Sequence, residues 1–163
     1  MKILIDGNEP VPEICPDRFF CTMAATGLSR ALPDVQVAVC RGAECRRKAG
    51  SLAQGDVFLC LSGAYPESVL SSPALKVAAV GSLDFVSAPD GYSWFRRHHL
   101  NLLMHRICRH SDHFIVPDGK TAVDLKKYYY ISPERISVYA DVGSIPSILL
   151  EIMGLRQKPV SPR

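Results

Sequence analysis

Residues that could bind a polar ligand follow most of the short apolar runs of this 163-residue chain. The runs are typical of buried β-strands, and turn-forming residues come directly after them. These residues are Asp6-Gly7-Asn8, Ser62-Gly63, Gly81-Ser82-Leu83-Asp84, Asp118-Gly119 and Asp141. In a parallel sheet, ligands bind outside the carboxyl ends of the strands, so the pattern predicts a polar cleft along that edge. The same residue types also form the turns and helix caps of ordinary strand-to-helix loops, and the sequence leaves both interpretations open.

Motifs that bind phosphate in a defined way do not occur in the chain. No Gly-x-Gly-x-x-Gly follows the first strand, so a dinucleotide fingerprint is missing. Gly119-Lys120-Thr121 looks like the end of a P-loop, but the full pattern needs a glycine where Phe114 stands. The third strand ends without an acidic residue, which excludes a receiver-type phosphorylation module. We therefore expect no cofactor.

All five histidines lie between residues 98 and 113, in or beside a predicted helix that spans about 93–110. The polar residues of this helix form two stripes, His98-His105-Arg109 and His99-Arg106-His110, after Arg96 and Arg97 at its start. A metal site would need two histidines one turn apart with a carboxylate nearby, and this spacing predicts none. The basic face is either solvated or in contact with an anionic group. That group could be a lipid head group, reached by helix 96–110, a phosphorylated acceptor, or a partner protein.

The cysteines, the apolar runs and the net charge limit which cellular compartment and which partners the sequence is compatible with. Six cysteines occur without a Cys-x-x-Cys pair or a secretion signal, which predicts reduced and mostly buried thiols. Asp6 ends the first apolar run far short of a signal peptide, and no run approaches the roughly 20 apolar residues of a membrane span. We therefore expect a cytoplasmic protein, at most peripheral to a membrane. The net charge of +3 is too small to indicate nucleic-acid binding.

The polar residues are positioned by six predicted buried strands, and helices separate most of these strands. The strands are predicted at residues 2–5, 35–40, 56–61, 75–80, 113–116 and 136–139, and the clearest helices at about 20–31, 93–110 and 118–129. This alternation predicts an α/β fold, a Rossmann-like parallel sheet of about six strands with helices on both faces. One domain is expected over residues 1–155, followed by a polar, disordered tail over residues 156–163.

The stretch from Ile107 to Val138 resembles the N-terminal, acceptor-side domain of retaining GT-B glycosyltransferases of the family 4 type. The likeness has three parts in order: Ser111 to Val116, Asp124-Leu125 followed by Tyr128 to Tyr130, and Ile131 to Val138 (ISPERISV). The basic helix that begins near Trp94 is also similar to that family's Arg-rich helix. The resemblance covers roughly residues 75–140. Ser132 to Arg135 are expected to form a turn before the sixth strand rather than to perform chemistry.

The chain departs from that family's pattern in four places. The loop after the first strand, Gly7 to Pro12, has no glycine pair. Leu83 precedes Asp84 where the family often has a histidine. The turn after the sixth strand, residues 140–144, reads ADVGS where the family has Asn-Gly-Val-Asp. The second domain, which in the family supplies most of the nucleotide-sugar contacts, has no counterpart in these residues.

The resemblance implies an acceptor-binding half that transfers a sugar from a nucleotide-sugar only together with a donor-binding domain. The expected acceptor would be a glycan, a lipid-linked sugar or a phosphorylated compound, and this chain alone would be nearly inactive because transfer needs a closed cleft. No catalytic residue is assigned. The acceptor-binding candidates are Asp6, Gly7, Asn8, Ser82, Asp84, Arg96 and Arg97, and Lys120 is a candidate anion contact.

A second hypothesis is a stand-alone, non-catalytic binding or interaction module with a degenerate glycosyltransferase half-fold. Leu83, the altered turn and the missing domain favour it. The apolar stretch Ile145 to Met153 would then either mediate docking to a partner chain or a second copy, or pack on its own sheet.

Overall fold

Six strands and seven helices alternate along residues 1–157, the part of the chain that the computed structural model describes, with side chains through residue 154. The strands are β1 (Lys2–Asp6), β2 (Gln36–Cys40), β3 (Val57–Cys60), β4 (Leu75–Ala79), β5 (His113–Val116) and β6 (Ile136–Val138). The helices are α1 (Arg18–Ala31), α2 (Gly42–Ala49), α3 (Glu67–Leu70), α4 (Asp84–Ser87), α5 (Trp94–His110), α6 (Gly119–Tyr129) and α7 (Ile145–Gln157). All six predicted strands and the three clearest helices are confirmed.

The strands form one parallel sheet in the order β2-β1-β3-β4-β5-β6. The predicted Rossmann-like α/β class is therefore confirmed. The order is the second common doubly wound arrangement, in which the chain reverses direction across the sheet between β1 and β3. Loops that leave the ends of β1 and β3 diverge to opposite faces, and a crevice opens between them. This switch point is where such sheets bind ligands.

Side chains alternate between the two faces of the sheet, and helices cover both. Ile3, Ile5 and Leu59 face α1 and α7, whereas Leu4 and Phe58 face the side of α2 and α3. Farther along, Phe114 and Val116 pack against α5 and α6 on that second face. Because neither face meets water, the strands are apolar at nearly every position, as parallel strands require.

The segment Pro133–Arg135 is a turn of 3-10 helix, as expected, and its arginine has a structural role. The Arg135 guanidinium donates to the carbonyl oxygens of Ser111 (2.5 Å) and Asp112 (3.2 Å), where α5 turns into β5. It also lies 5.6 Å from the ring centroid of Phe114. Arg135 therefore fixes the edge strand β6 to the start of β5 and satisfies carbonyls that the turn leaves open.

The apolar helix α7 packs on its own sheet rather than standing free. Ile145 and Leu149 are fully buried against the face that carries α1, and Leu150 is its one large apolar side chain that is about half exposed among residues 145–154. The helix ends at Gln157, so it includes the first two residues of the segment predicted to be a tail. Residues 158–163 of that segment lie outside the described residues. Within residues 1–157, no helix is long and apolar enough to cross a membrane.

Candidate functional site

A cavity of about 550 Å³ opens at the switch point and is called the β1 cavity here. Its size falls within the range of small-ligand sites, about 300 to 1,000 Å³. Three of the predicted acceptor-binding residues, Asp6, Gly7 and Asn8, line it. The remaining lining residues are Glu9, Pro10, Asp17, Arg18, Phe19, Cys21, Thr22, Arg41 and Leu61.

Asp6 is fully buried at the carboxyl end of β1, and both of its carboxylate oxygens are engaged by protein groups. The Asn8 amide N–H (3.1 Å) and side-chain Nδ2 (2.7 Å) donate to Oδ1. The Ser62 backbone N–H donates to Oδ2 at 3.2 Å, and the Ser62 hydroxyl donates to the same oxygen. Asp6 therefore links the end of β1 to the end of β3. Its oxygens lie at the floor of the β1 cavity, but they are already hydrogen-bonded within the protein and are not free to bind a ligand.

Gly7 and Asn8 also form hydrogen bonds within the protein, with the end of β2 and the start of α2. The Gly7 N–H donates to the Cys40 carbonyl at 2.8 Å, and a Cβ at Gly7 would lie 2.5 Å from Cγ1 of Val39. Any larger residue at position 7 would force the Val39 side chain to move. The Asn8 side-chain oxygen accepts from the Gly42 N–H at 2.7 Å and so satisfies a free amide at the start of α2.

Charged side chains at the mouth of the β1 cavity partly neutralise one another. Arg18 forms an exposed ion pair with Glu9, and this pairing lowers the pKa of the Glu9 carboxyl. Arg41 also lines the cavity and forms no ion pair within the described residues. Arg41 was not among the sequence candidates, although its position immediately after β2 places it at the same carboxyl edge as Asp6.

Asp84 and Lys120 form a second group, the Asp84–Lys120 pair, at the ends of β4 and β5. Their side chains make an ion pair in which Asp84 is 47% exposed and Lys120 is 60% exposed. Two side chains lower the pKa of Asp84: the Lys120 ammonium has the larger effect and the Ser82 side chain the smaller. Asp84 in turn raises the pKa of Lys120. Ser82 also accepts a hydrogen bond from the Asp84 N–H at 3.2 Å. The carboxylate thus stays ionised and accessible, and it can accept a hydrogen bond from a ligand hydroxyl.

The loop between β1 and α1, residues 7–17, borders both groups. Its Ile14 is fully buried, and the Ile14 carbonyl accepts hydrogen bonds from the N–H groups of Gly81 (2.6 Å) and Ser82 (3.3 Å) at the end of β4. A Cβ at Gly81 would lie 3.1 Å from backbone atoms of Cys15, so the loop lies directly on the strand end. Burial raises the pKa of the Cys15 thiol to about 11, which keeps it protonated and unreactive.

Arg96 and Arg97 belong to neither group. Arg96 donates through Nε to Glu13 of the 7–17 loop at 2.8 Å, and Arg97 donates through Nε to the Phe85 carbonyl at 3.2 Å. Both arginines therefore hold the start of α5 against its neighbours. Two other polar residues cap local structure: Asp118 accepts from the Thr121 N–H (2.8 Å) and Asp141 from the Ser144 N–H (3.1 Å).

One sequence expectation about the cysteines is wrong. Cys40 and Cys45 form a disulfide, with their Cα atoms 4.6 Å apart and both side chains buried, instead of remaining reduced thiols. Gly42 has a φ of +53°, and this turn brings α2 back over the end of β2, so that four intervening residues suffice. The other four cysteines, Cys15, Cys21, Cys60 and Cys108, are free.

Over the described residues, no group of three or more histidine, cysteine, aspartate or glutamate side chains is arranged to hold a metal ion.

No protein-family model matches the chain, and no curated protein sequence matches it either.

Proposed function

We propose that this chain is the acceptor-binding half of a nucleotide-sugar-dependent glycosyltransferase with two domains. The β1 cavity is the observation that carries the proposal, because it lies at the ligand-binding switch point of the sheet and its lining includes Asp6, Gly7 and Asn8. The segments that resemble the retaining GT-B family fall on consecutive elements, β5, α6 and β6.

In this proposal the chain orients an acceptor hydroxyl, and a second domain supplies the nucleotide-sugar. The acceptor oxygen forms a bond to the anomeric carbon as the bond from that carbon to the nucleoside diphosphate breaks. The departing diphosphate takes the electron pair of that bond and accepts the hydroxyl proton. Asp84 accepts the hydrogen bond of the acceptor hydroxyl, since Lys120 keeps its carboxylate ionised. Arg41, which lines the β1 cavity and forms no ion pair within the described residues, supplies positive charge for a phosphorylated or lipid-linked acceptor.

A titration with acceptor-type compounds tests the binding half of the proposal. Isotope-labelled protein is titrated with methyl glycosides and sugar phosphates while the backbone amide signals are followed. We expect shifts confined to the carboxyl edge of the sheet, and about tenfold weaker binding for Asp84→Ala, the loss expected for a hydrogen bond to a charged group. Asp90→Ala, which removes an exposed carboxylate from the turn Pro89–Gly91, is the matched control and should bind as the wild type does.

Two results would contradict this proposal. No amide shift at the carboxyl edge across the whole panel would remove the acceptor site. Turnover by this chain alone near ordinary enzyme rates, on the order of 1 per second, would show that no donor-binding half is required. With UDP-glucose or GDP-mannose, we expect weak binding to the chain alone and a gain in affinity once a donor-binding domain is added.

A non-catalytic interaction module is the second candidate, and the environment of Leu83 favours it. Leu83 stands where the glycosyltransferase family that the sequence resembles often has a histidine, and it is 1% exposed and packed in the core beside α5. A module of this kind would bind neither the glycosides nor the two nucleotide-sugars. It would bind a partner chain or a second copy instead. Docking through α7 is not expected, because Ile145, Leu149 and Ile152 are buried against the sheet and Leu150 alone of its large apolar side chains is about half exposed among residues 145–154.

A further inference from the structure

Helix α5 exposes large apolar side chains on the face opposite its buried stripe. Trp94 is 68% exposed, Phe95 80% and Leu102 53%. Leu100, Met104 and Ile107 form the buried stripe that packs on the sheet. At 3.6 residues per turn, Phe95 and Leu102 lie two turns apart on the same side of the helix, with Trp94 next to them. The outward face of α5 is therefore apolar at its centre and at its first turn.

The same outward face is basic and carries no acidic residue. Arg106 and Arg109 are exposed there with His98, His99 and His105, and the whole of α5 contains no aspartate or glutamate. Arg96 and Arg97 are held by Glu13 and the Phe85 carbonyl, whereas Arg106 and Arg109 form no ion pair with any described residue. Their charges are available to an external anion.

The aromatic residues of the first turn contact each other and a nearby histidine despite their exposure. The Trp94 ring lies edge-on to Phe95 at 5.0 Å between centroids and stacks on His98 at 5.6 Å. A helix of 17 residues is about 25 Å long, so these aromatics and the two arginines can meet one flat surface together.

We propose that the outward face of α5 docks on an anionic lipid bilayer. Trp94, Phe95 and Leu102 enter the boundary between head groups and acyl chains, and Arg106 and Arg109 contact lipid phosphates. Apolar anchors beside cations on one helix face are the features of a helix that lies in the interfacial plane. An isolated phosphate ligand would use the arginines and leave Phe95 and Leu102 in water. The proposal needs no transferase activity and stands apart from the proposed function.

Flotation of the protein with lipid vesicles tests this docking. We expect the wild type to float with vesicles of phosphatidylcholine mixed with phosphatidylglycerol and not with phosphatidylcholine alone. Binding should weaken as salt rises from about 0.05 to about 0.5 M, because the ionic attraction is screened. W94S/F95S should lower the partition coefficient at least about fivefold, and R106Q/R109Q should lower it and flatten its salt dependence.

The matched control removes apolar side chains of similar exposure from the opposite face of the sheet. M23S/L150S changes a methionine on α1 that is 56% exposed and a leucine on α7 that is 46% exposed, and should float as the wild type does. Circular dichroism confirms that each variant is folded, and R106Q/R109Q tests the docking even if W94S/F95S does not fold. Equal flotation with both lipid mixtures, loss of flotation in the control alone, or dimerisation through α5 without flotation would each overturn the proposal.

Discussion

Asp6 and Asp84 lie at the same carboxyl edge of the sheet, at the end of β1 and in the segment after β4, and both are predicted from the sequence to face a ligand, yet their environments differ. Asp6 is fully buried and accepts hydrogen bonds from Asn8 and from Ser62. Asp84 is about half exposed and pairs with Lys120 across an open surface. A carboxylate after a strand can therefore either hold the loops together or face the solvent, and its neighbours decide which. Measurements of stability test that contrast, and the largest loss is expected where the carboxylate is buried.

Replacing Asp6 should cost the most. Asp6→Ala leaves the buried Ser62 N–H and hydroxyl without an acceptor, and we expect the free energy of unfolding to fall by about 4 kcal/mol. Asp6→Asn keeps one acceptor oxygen and should lose about half as much. Chemical denaturation at neutral pH measures both. A loss below about 1 kcal/mol for Asp6→Ala would mean that water replaces the carboxylate and that the two aspartates do not differ as described.

The free energy of unfolding should also depend on pH, because a second buried group, His113 at the start of β5, titrates differently in the folded and unfolded chain. Burial, and then the charge of Arg135, lowers its pKa from 6.5 to about 4. Between these values the unfolded chain binds more protons than the folded one, so stability should fall as pH drops from about 6.5 to 4, by at most about 3 kcal/mol.

His113→Gln should remove that pH dependence, since glutamine can still bond the Ser137 hydroxyl, 2.8 Å from the His113 ring nitrogen, but does not titrate. The contribution of the Asp84–Lys120 pair is also lost as pH falls, but in a lower pH range. Because the pKa of Asp84 is lowered from 3.8, its small contribution is lost only as pH falls below that value. Denaturation curves at a series of pH values separate the two, and an unchanged wild-type curve between pH 6.5 and 4 would contradict the burial of a neutral His113.

Gly7 offers a sharper test of the packing around Asp6. Gly7→Ala places a methyl group against the Val39 side chain and should cost about 1 to 2 kcal/mol. Gly27→Ala in α1 is the control, because no atom lies within 4 Å of its added Cβ, and it should raise stability by about 0.5 to 1 kcal/mol. Equal effects from the two substitutions in thermal melts would show that the close approach at β1 is not a constraint.

Asp84→Ala should barely change stability. The pair is exposed on both sides, and exposed ion pairs contribute little, so we expect the melting temperature to stay within about 1 °C of the wild type. The same variant is expected to weaken acceptor binding. A large loss of stability would place Asp84 with Asp6 among the residues that hold the loops together.

The sequence predicted the sheet well because both of its faces are covered. Strands such as Val57–Cys60 are apolar at every position, and this signal does not depend on where the strand lies in the sheet. Helix α2 gave no such signal, since only Cys45 and Ala49 of its eight residues are buried. The prediction that the thiols are reduced failed for Cys40 and Cys45 because it considered their spacing without the turn at Gly42.

The candidate site was harder to predict, because strand order and long-range bonds decide it. The residue pattern located the carboxyl ends of the strands but did not show that β3 returns beside β1, which creates the β1 cavity. The contact between Asp6 and Ser62 joins residues 56 apart in the chain, and no local pattern reports it. The pairing of Asp84 with Lys120 likewise follows from the adjacency of β4 and β5.

The position of β1 between β2 and β3 also sets the order in which the molecule can assemble during synthesis. β1 is made before the other five strands of the sheet, but Ile3 and Ile5 find their partners Val57 and Leu59 only after a further stretch of about a third of these 163 residues. At a synthesis rate of about 5 to 20 residues per second, one edge of this apolar strand stays unpaired for several seconds. The β1 cavity can therefore form once Ser62 is made, whereas the Asp84–Lys120 pair must wait for twice that length of chain.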